Sequence, residues 1–171
     1  VSPIYLGNVA NNTPCKAGSS WTTTEDGIFY SVDSTTEDIT DLTLDDVIFS
    51  ATFGNFQATT AAVGSATDGT GWIPVKFSNM SGGSPISNLP TDPTNDVSIN
   101  TSTAAVVDFT ALVYRYACHV DNLTYEINAN LESTAFTTDD NKESKDGGNN
   151  NSLLEVGTKL DILGAGATSP Y

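Results

Sequence analysis

Apolar residues in this chain come in short runs of strand length, separated by long polar spans. Residues 4–9 form a first run, suited to an edge strand, ahead of a loop that carries Cys15 and Trp21. Residues 27–32 (Gly-Ile-Phe-Tyr-Ser-Val) read as a strand from their aromatic and β-branched content. Residues 47–53 alternate, with Val47, Phe49, Ala51 and Phe53 against Ile48, Ser50 and Thr52, which predicts a half-buried strand ending at Gly54. In residues 72–77, Ile73, Val75 and Phe77 share one face and Lys76 takes the other, exposed one. Pro74 has no amide to give a ladder, so this strand is expected at an edge.

The stretch 86–132 organises the rest. It opens on a proline-bracketed loop, Leu89-Pro-Thr-Asp-Pro-Thr-Asn-Asp, expected as a rigid clamp that fixes the position of the hairpin after it, and closes on that hairpin, the clearest in the chain. In the first hairpin strand Tyr114, Tyr116 and Cys118 oppose Val113, Arg115 and Ala117; in the second, Tyr125, Ile127, Ala129 and Leu131 oppose Glu126, Asn128 and Asn130. Val-Asp-Asn between them is turn chemistry. The half-polar second strand predicts a sheet with one face in water, as antiparallel sheets allow. Residues 137–152 are almost wholly polar and predict a surface loop. Residues 153–158 predict a last strand, Leu160, Ile162 and Leu163 close the fold, and 164–171 form a tail. The acidic segment 34–46 reads as a solvated face, and 54–71, 78–88 and 97–105 as loops. With no repeat or boundary in 171 residues, the expectation is a single mainly β domain, its sheet mainly antiparallel, with a real core.

Composition agrees. The chain holds 24 Thr, 17 Ser, 15 Asn and 14 Gly, a mixture that favours strands joined by long turns. Its 21 acidic residues against 6 basic ones give a net charge of −15, which argues against a phosphate-backbone partner or an anionic membrane surface. The chain has no signal peptide and no apolar run of membrane-spanning length. It begins Val-Ser-Pro without an initiator Met, and removal of an N-terminal segment is expected. Cys15 and Cys118 lack a C-x-x-C pattern; they are either the two ends of one long-range disulfide, as in an exported protein, or two buried thiols. The former would stabilise by roughly 4–5 kcal/mol in the chain-entropy view.

Catalytic chemistry has little to draw on. His119 is the single histidine, at a strand end, with no nucleophile elbow, phosphate-cradling loop or dinucleotide fingerprint elsewhere. Calcium is the better-supported ligand. It takes six to eight hard oxygens, and the 89–96 loop offers carbonyls held by two prolines with the side-chain oxygens of Asp92, Asn95 and Asp96. Five Asn-x-Ser/Thr sequons, beginning at Asn11, Asn79, Asn100, Asn122 and Asn150, matter only in a host that glycosylates its surface proteins.

Several of these segments carry a resemblance. They are Asp68-Gly-Thr-Gly-Trp-Ile-Pro-Val-Lys-Phe, Gly83-Ser-Pro-Ile-Ser-Asn-Leu-Pro-Thr-Asp-Pro, Tyr114-Arg-Tyr-Ala-Cys, Tyr125-Glu-Ile-Asn-Ala-Asn-Leu-Glu-Ser, Asp146-Gly-Gly-Asn and Leu-Glu-Val-Gly-Thr. Together, over about 68–158, they resemble the C-terminal globular domain of type IV pilin-like proteins, nearest to pilins of candidate-phyla bacteria. The Leu-Pro-x-Asp-Pro element is similar to the calcium loop of type II secretion pseudopilins. Residues 1–67 resemble nothing placed.

The resemblance implies an extracellular filament subunit, α+β at full length. Its long N-terminal helix, absent here, is membrane-inserted before assembly and then packs in a homo-oligomeric filament, while the isolated domain is a monomer. It implies calcium ligation by the Leu89 carbonyl and the Asp92 carboxylate; the further ligands have no counterpart by motif, and Asp96 and Asp108 are assigned to them. A rival expectation is a secreted β-sandwich binding carbohydrate through exposed Trp21, Trp72 and Tyr5. An enzyme using His119 is a third.

Overall fold

The computed structural model describes residues 7–8, 13–14, 28–31, 38–41, 65–69, 71–73, 75–77, 80, 82–94, 98–99, 104–107, 110–119 and 124–163. Nine strands run through these residues: β1 (Gly7–Asn8), β2 (Thr13–Pro14), β3 (Ile28–Tyr30), β4 (Asp38–Asp41), β5 (Ser98–Ile99), β6 (Ala104–Val107), β7 (Arg115–His119), β8 (Thr124–Ala129) and β9 (Leu154–Gly157). They form a two-stranded pair β1-β2, a four-stranded sheet β3-β7-β8-β9 and a three-stranded sheet β4-β6-β5. Among the described residues one π-helical turn, Ala135–Asp139, stands beside these strands, so the described part is mainly β.

The four-stranded sheet is antiparallel throughout and is built on the expected hairpin. Its register aligns Tyr116, Ile127 and Val156 in one row, and Arg115, Asn128 and Glu155 in the next. Successive side chains point to opposite faces of a strand, so these rows belong to opposite faces.

The first face is apolar and receives the segment that precedes it in sequence. Trp72, Ile73, Val75, Leu89 and Tyr116 form the core cluster there, with Phe77, Tyr114, Tyr125 and Ile127 against it. Burying a side chain such as Leu89 contributes about 1.5–3 kcal/mol, and Leu89 is only 3% exposed.

The second face is where the sequence expectation fails. Glu126 and Asn128, expected in water, are 0% exposed, as is Arg115. Polar side chains on a strand mark the solvent face only when nothing else covers it. Here the returning chain does, with Ile162 and Leu163 buried against it and their amides bonded to Glu126.

Three further expectations change. Residues 71–73 bend and Lys76 makes one isolated bridge to Asp68, in place of a strand; Trp72, Ile73 and Val75 are all buried, so no alternation survives, and Lys76 is half-buried. The Val75 amide donates to the Ile73 carbonyl at 2.7 Å. The acidic 38–41 and the Ser/Thr-rich 97–105 regions contribute ladders, β4 pairing with β6 in parallel, against the antiparallel expectation. The polar 137–152 span is not all surface: Glu143 and Asn150 are 7% and 6% exposed. The strand expected at 47–53 lies outside the described residues.

Gly71 lets two segments touch. A Cβ there would collide with the Ala66 carbonyl and lie 2.6 Å from Leu89 Cδ1, so only glycine fits beneath the proline loop.

Candidate functional site: an aromatic groove and a buried carboxyl pair

The proline-bracketed loop is locked to the sheet by Trp72. The indole is 1% exposed, and its Nε1–H donates to the Pro90 carbonyl at 2.9 Å, while the Leu89 amide donates to Ser65 at 2.7 Å. Trp72 also meets Tyr114 with ring centroids 6.1 Å apart, inside the range of a favourable aromatic pair. The loop is thus a rigid clamp over the hairpin, as its two prolines suggested. Asp92 is 9% exposed, and its Oδ1 accepts the Thr94 amide at 2.8 Å, an Asx turn that shapes the loop. Burial, and then the charge of Asp92, raise the Tyr114 phenol above its ordinary value.

Of the expected metal ligands, the structure describes Leu89 and Asp92; Asn95, Asp96 and Asp108 lie outside the described residues. No group of three or more His, Cys, Asp or Glu suited to a metal occurs among the described residues. Cys118 sits on β7 opposite Tyr125, and His119 ends that strand opposite Thr124. The side chains of Cys15, Cys118 and His119 lie outside the description, as do Tyr5 and Trp21. Trp72, proposed as an exposed glycan platform, is instead a core residue.

Between the clamp and the sheet runs an open groove of about 500 Å³. Its floor is Tyr116, Ile127, Ala129 and Val156, and Ile86 and Pro90 form one wall. Val156 and Ile86, at 56% and 40% exposure, leave the groove open to an outside group. The lining is almost purely apolar, with no convergent charges, so it suits an apolar side-chain row and offers little to a sugar or an ionic substrate.

The second face carries a feature that sequence reasoning passed over. Glu126 Oε2 accepts the amides of Ile162 at 2.7 Å and Leu163 at 3.0 Å, and the carboxylate also bonds the side chains of Asn128 and Glu155. Glu155 Oε2 accepts the Asn150 amide at 2.8 Å, and its own amide donates to Asp146 Oδ2 at 2.7 Å. A Cβ at Gly148 would collide with the Glu155 carboxyl, so this turn closes only with glycine. Two buried carboxyls that bond each other resist ionising together at neutral pH. Desolvation raises both, and Glu126 and Asp146 push Glu155 further up, to about 9. The signal available in the sequence was Glu126 and Glu155 on neighbouring strands, each within an apolar alternation; it needed the β8–β9 register to be seen. No protein-family model, curated protein or solved structure matches this chain.

Proposed function

We propose that this chain is the outward-facing domain of a type IV pilus-like filament subunit, an extracellular structural protein rather than an enzyme. At full length it is α+β, inserted in the membrane before assembly and polymerising through an amino-terminal helix, with the isolated domain monomeric. The single observation that carries the reading is the sheet face of Tyr116, Tyr125, Ile127, Ala129, Leu154 and Val156, apolar and open along one side. An amphipathic helix seats its apolar stripe on such a surface. The clamp supports the same reading, because it fixes the groove wall without presenting reactive groups. A net charge of −15 suits a domain that stays in solution around a filament core and away from nucleic acid.

Electron microscopy of the producing cells, with a gold-labelled antibody raised against this domain, tests the reading. Label is expected along surface filaments at regular density. Label confined to soluble secreted material, or to the cell body, would overturn it.

A further inference from the structure

We propose that Glu126 and Glu155 share a single proton and form a latch that ties the 146–150 turn and the 158–163 segment to the sheet, firm in acid and loosened in alkali. This inference stands apart from the filament reading and uses only the second face of the sheet.

Burial and the hydrogen-bond pattern leave a place for one proton between the two carboxyls. Glu155 is 2% exposed and Glu126 0%. The two oxygens that take backbone amides, Glu126 Oε2 and Glu155 Oε2, are already committed. Glu155 Oε1 is buried and meets no donor among the described residues. The two carboxyls bond each other, so a proton on Glu155 turns an acceptor–acceptor clash into a carboxyl–carboxylate hydrogen bond.

The charged and titratable neighbours favour keeping that proton. Asp146 faces the pair from the 146–150 turn, and its negative charge opposes a second ionisation. Arg115 on β7 lies on the same buried face, opposite Asn128 and diagonal to Glu126, with Tyr30 in register beyond it on β3. The 158–163 segment brings only Lys159 and Asp161, which pair with each other at 3.0 Å on the surface.

The direction of the pH effect follows. The folded chain holds a proton that the unfolded chain loses above its ordinary value of 4.5. The latch is therefore at full strength below that value and weakens as pH rises toward about 9. Loss of the proton leaves two buried anions, and separating them releases the amides of Asn150, Ile162 and Leu163.

Two measurements on the whole chain decide it. Carbon-detected NMR of the Glu155 carboxyl should show it protonated at neutral pH and ionising in alkali. Hydrogen-exchange protection at Asn150, Ile162 and Leu163 should fall from about pH 4.5 by up to about tenfold per pH unit for one proton, and level off above about 9, where the folded carboxyl itself ionises. In E155Q the amide can still donate to Glu126, so protection should stay flat with pH. A Glu155 carboxyl that titrates in the ordinary range overturns the proposal. So does protection at the three amides that stays flat between about pH 4.5 and about 9, or an E155Q profile that follows the parent. If E155Q does not fold, the wild-type titration alone settles the matter.

Discussion

Trp72→Ala is expected to lower the free energy of unfolding by about 3–5 kcal/mol, the range for truncating a fully buried tryptophan. The loss has three sources. The indole is 1% exposed and packs with Ile73, Val75, Leu89 and Tyr116, so truncation leaves a cavity in the core cluster. Its Nε1–H is the bond that holds the Pro90 carbonyl, and its ring pairs with Tyr114. Trp72→Phe keeps most of the volume and forfeits the hydrogen bond, so it should cost less, about 1–2 kcal/mol. Val156→Ala, at a half-exposed position in the groove, should fall within about 1 kcal/mol of the parent. Chemical denaturation of the three variants checks the order. A Trp72→Ala loss no larger than that of Val156→Ala would show that the loop is not clamped through the indole.

The second large effect is expected at Glu126. Glu126→Ala strands two buried amides, those of Ile162 and Leu163, and removes the acceptor for Glu155. Each unsatisfied buried amide costs about 1–3 kcal/mol, so a combined loss of about 3 kcal/mol or more is expected. Glu126→Gln retains a carbonyl oxygen for the two amides and should lose distinctly less. Equal losses in the two variants, measured by the same unfolding experiment, would mean that the acceptor role is not what fixes the 158–163 segment.

These effects explain which parts of the molecule could be read from the chain alone. The hairpin was legible because β7 and β8 alternate without interruption and are joined by turn chemistry. So was β9, which closes the sheet with the Leu-Glu-Val-Gly run. The loop 89–94 was legible as a clamp because two prolines limit its conformations, although its anchor at Trp72 was not. Alternation places Trp72 on a strand, whereas the chain bends at 71–73 and the core buries Trp72 and Ile73 together.

The second face was misread for a different reason. Glu126 and Asn128 are polar, and polarity on alternate strand positions ordinarily marks the wet side. What buries them is a segment more than thirty positions later, Ile162 and Leu163, whose own amides need acceptors once they leave water. Long-range satisfaction of that kind has no local signature. The parallel pairing of β4 with β6 was hidden likewise, since acidic and Thr-rich segments give weak strand signals until a partner is known.

The central claim is that the apolar sheet face is covered by a helix of the same protein in an assembled filament, and a photo-cross-linker tests it most directly. With benzoyl-phenylalanine in place of Val156 in the full-length protein, in the cells that produce it, irradiation should join the groove to an apolar helical segment on the amino-terminal side of residue 1. Mass spectrometry of the linked peptides identifies that segment. Cross-links only to other molecules, or none while the domain is folded and exported, would contradict the account.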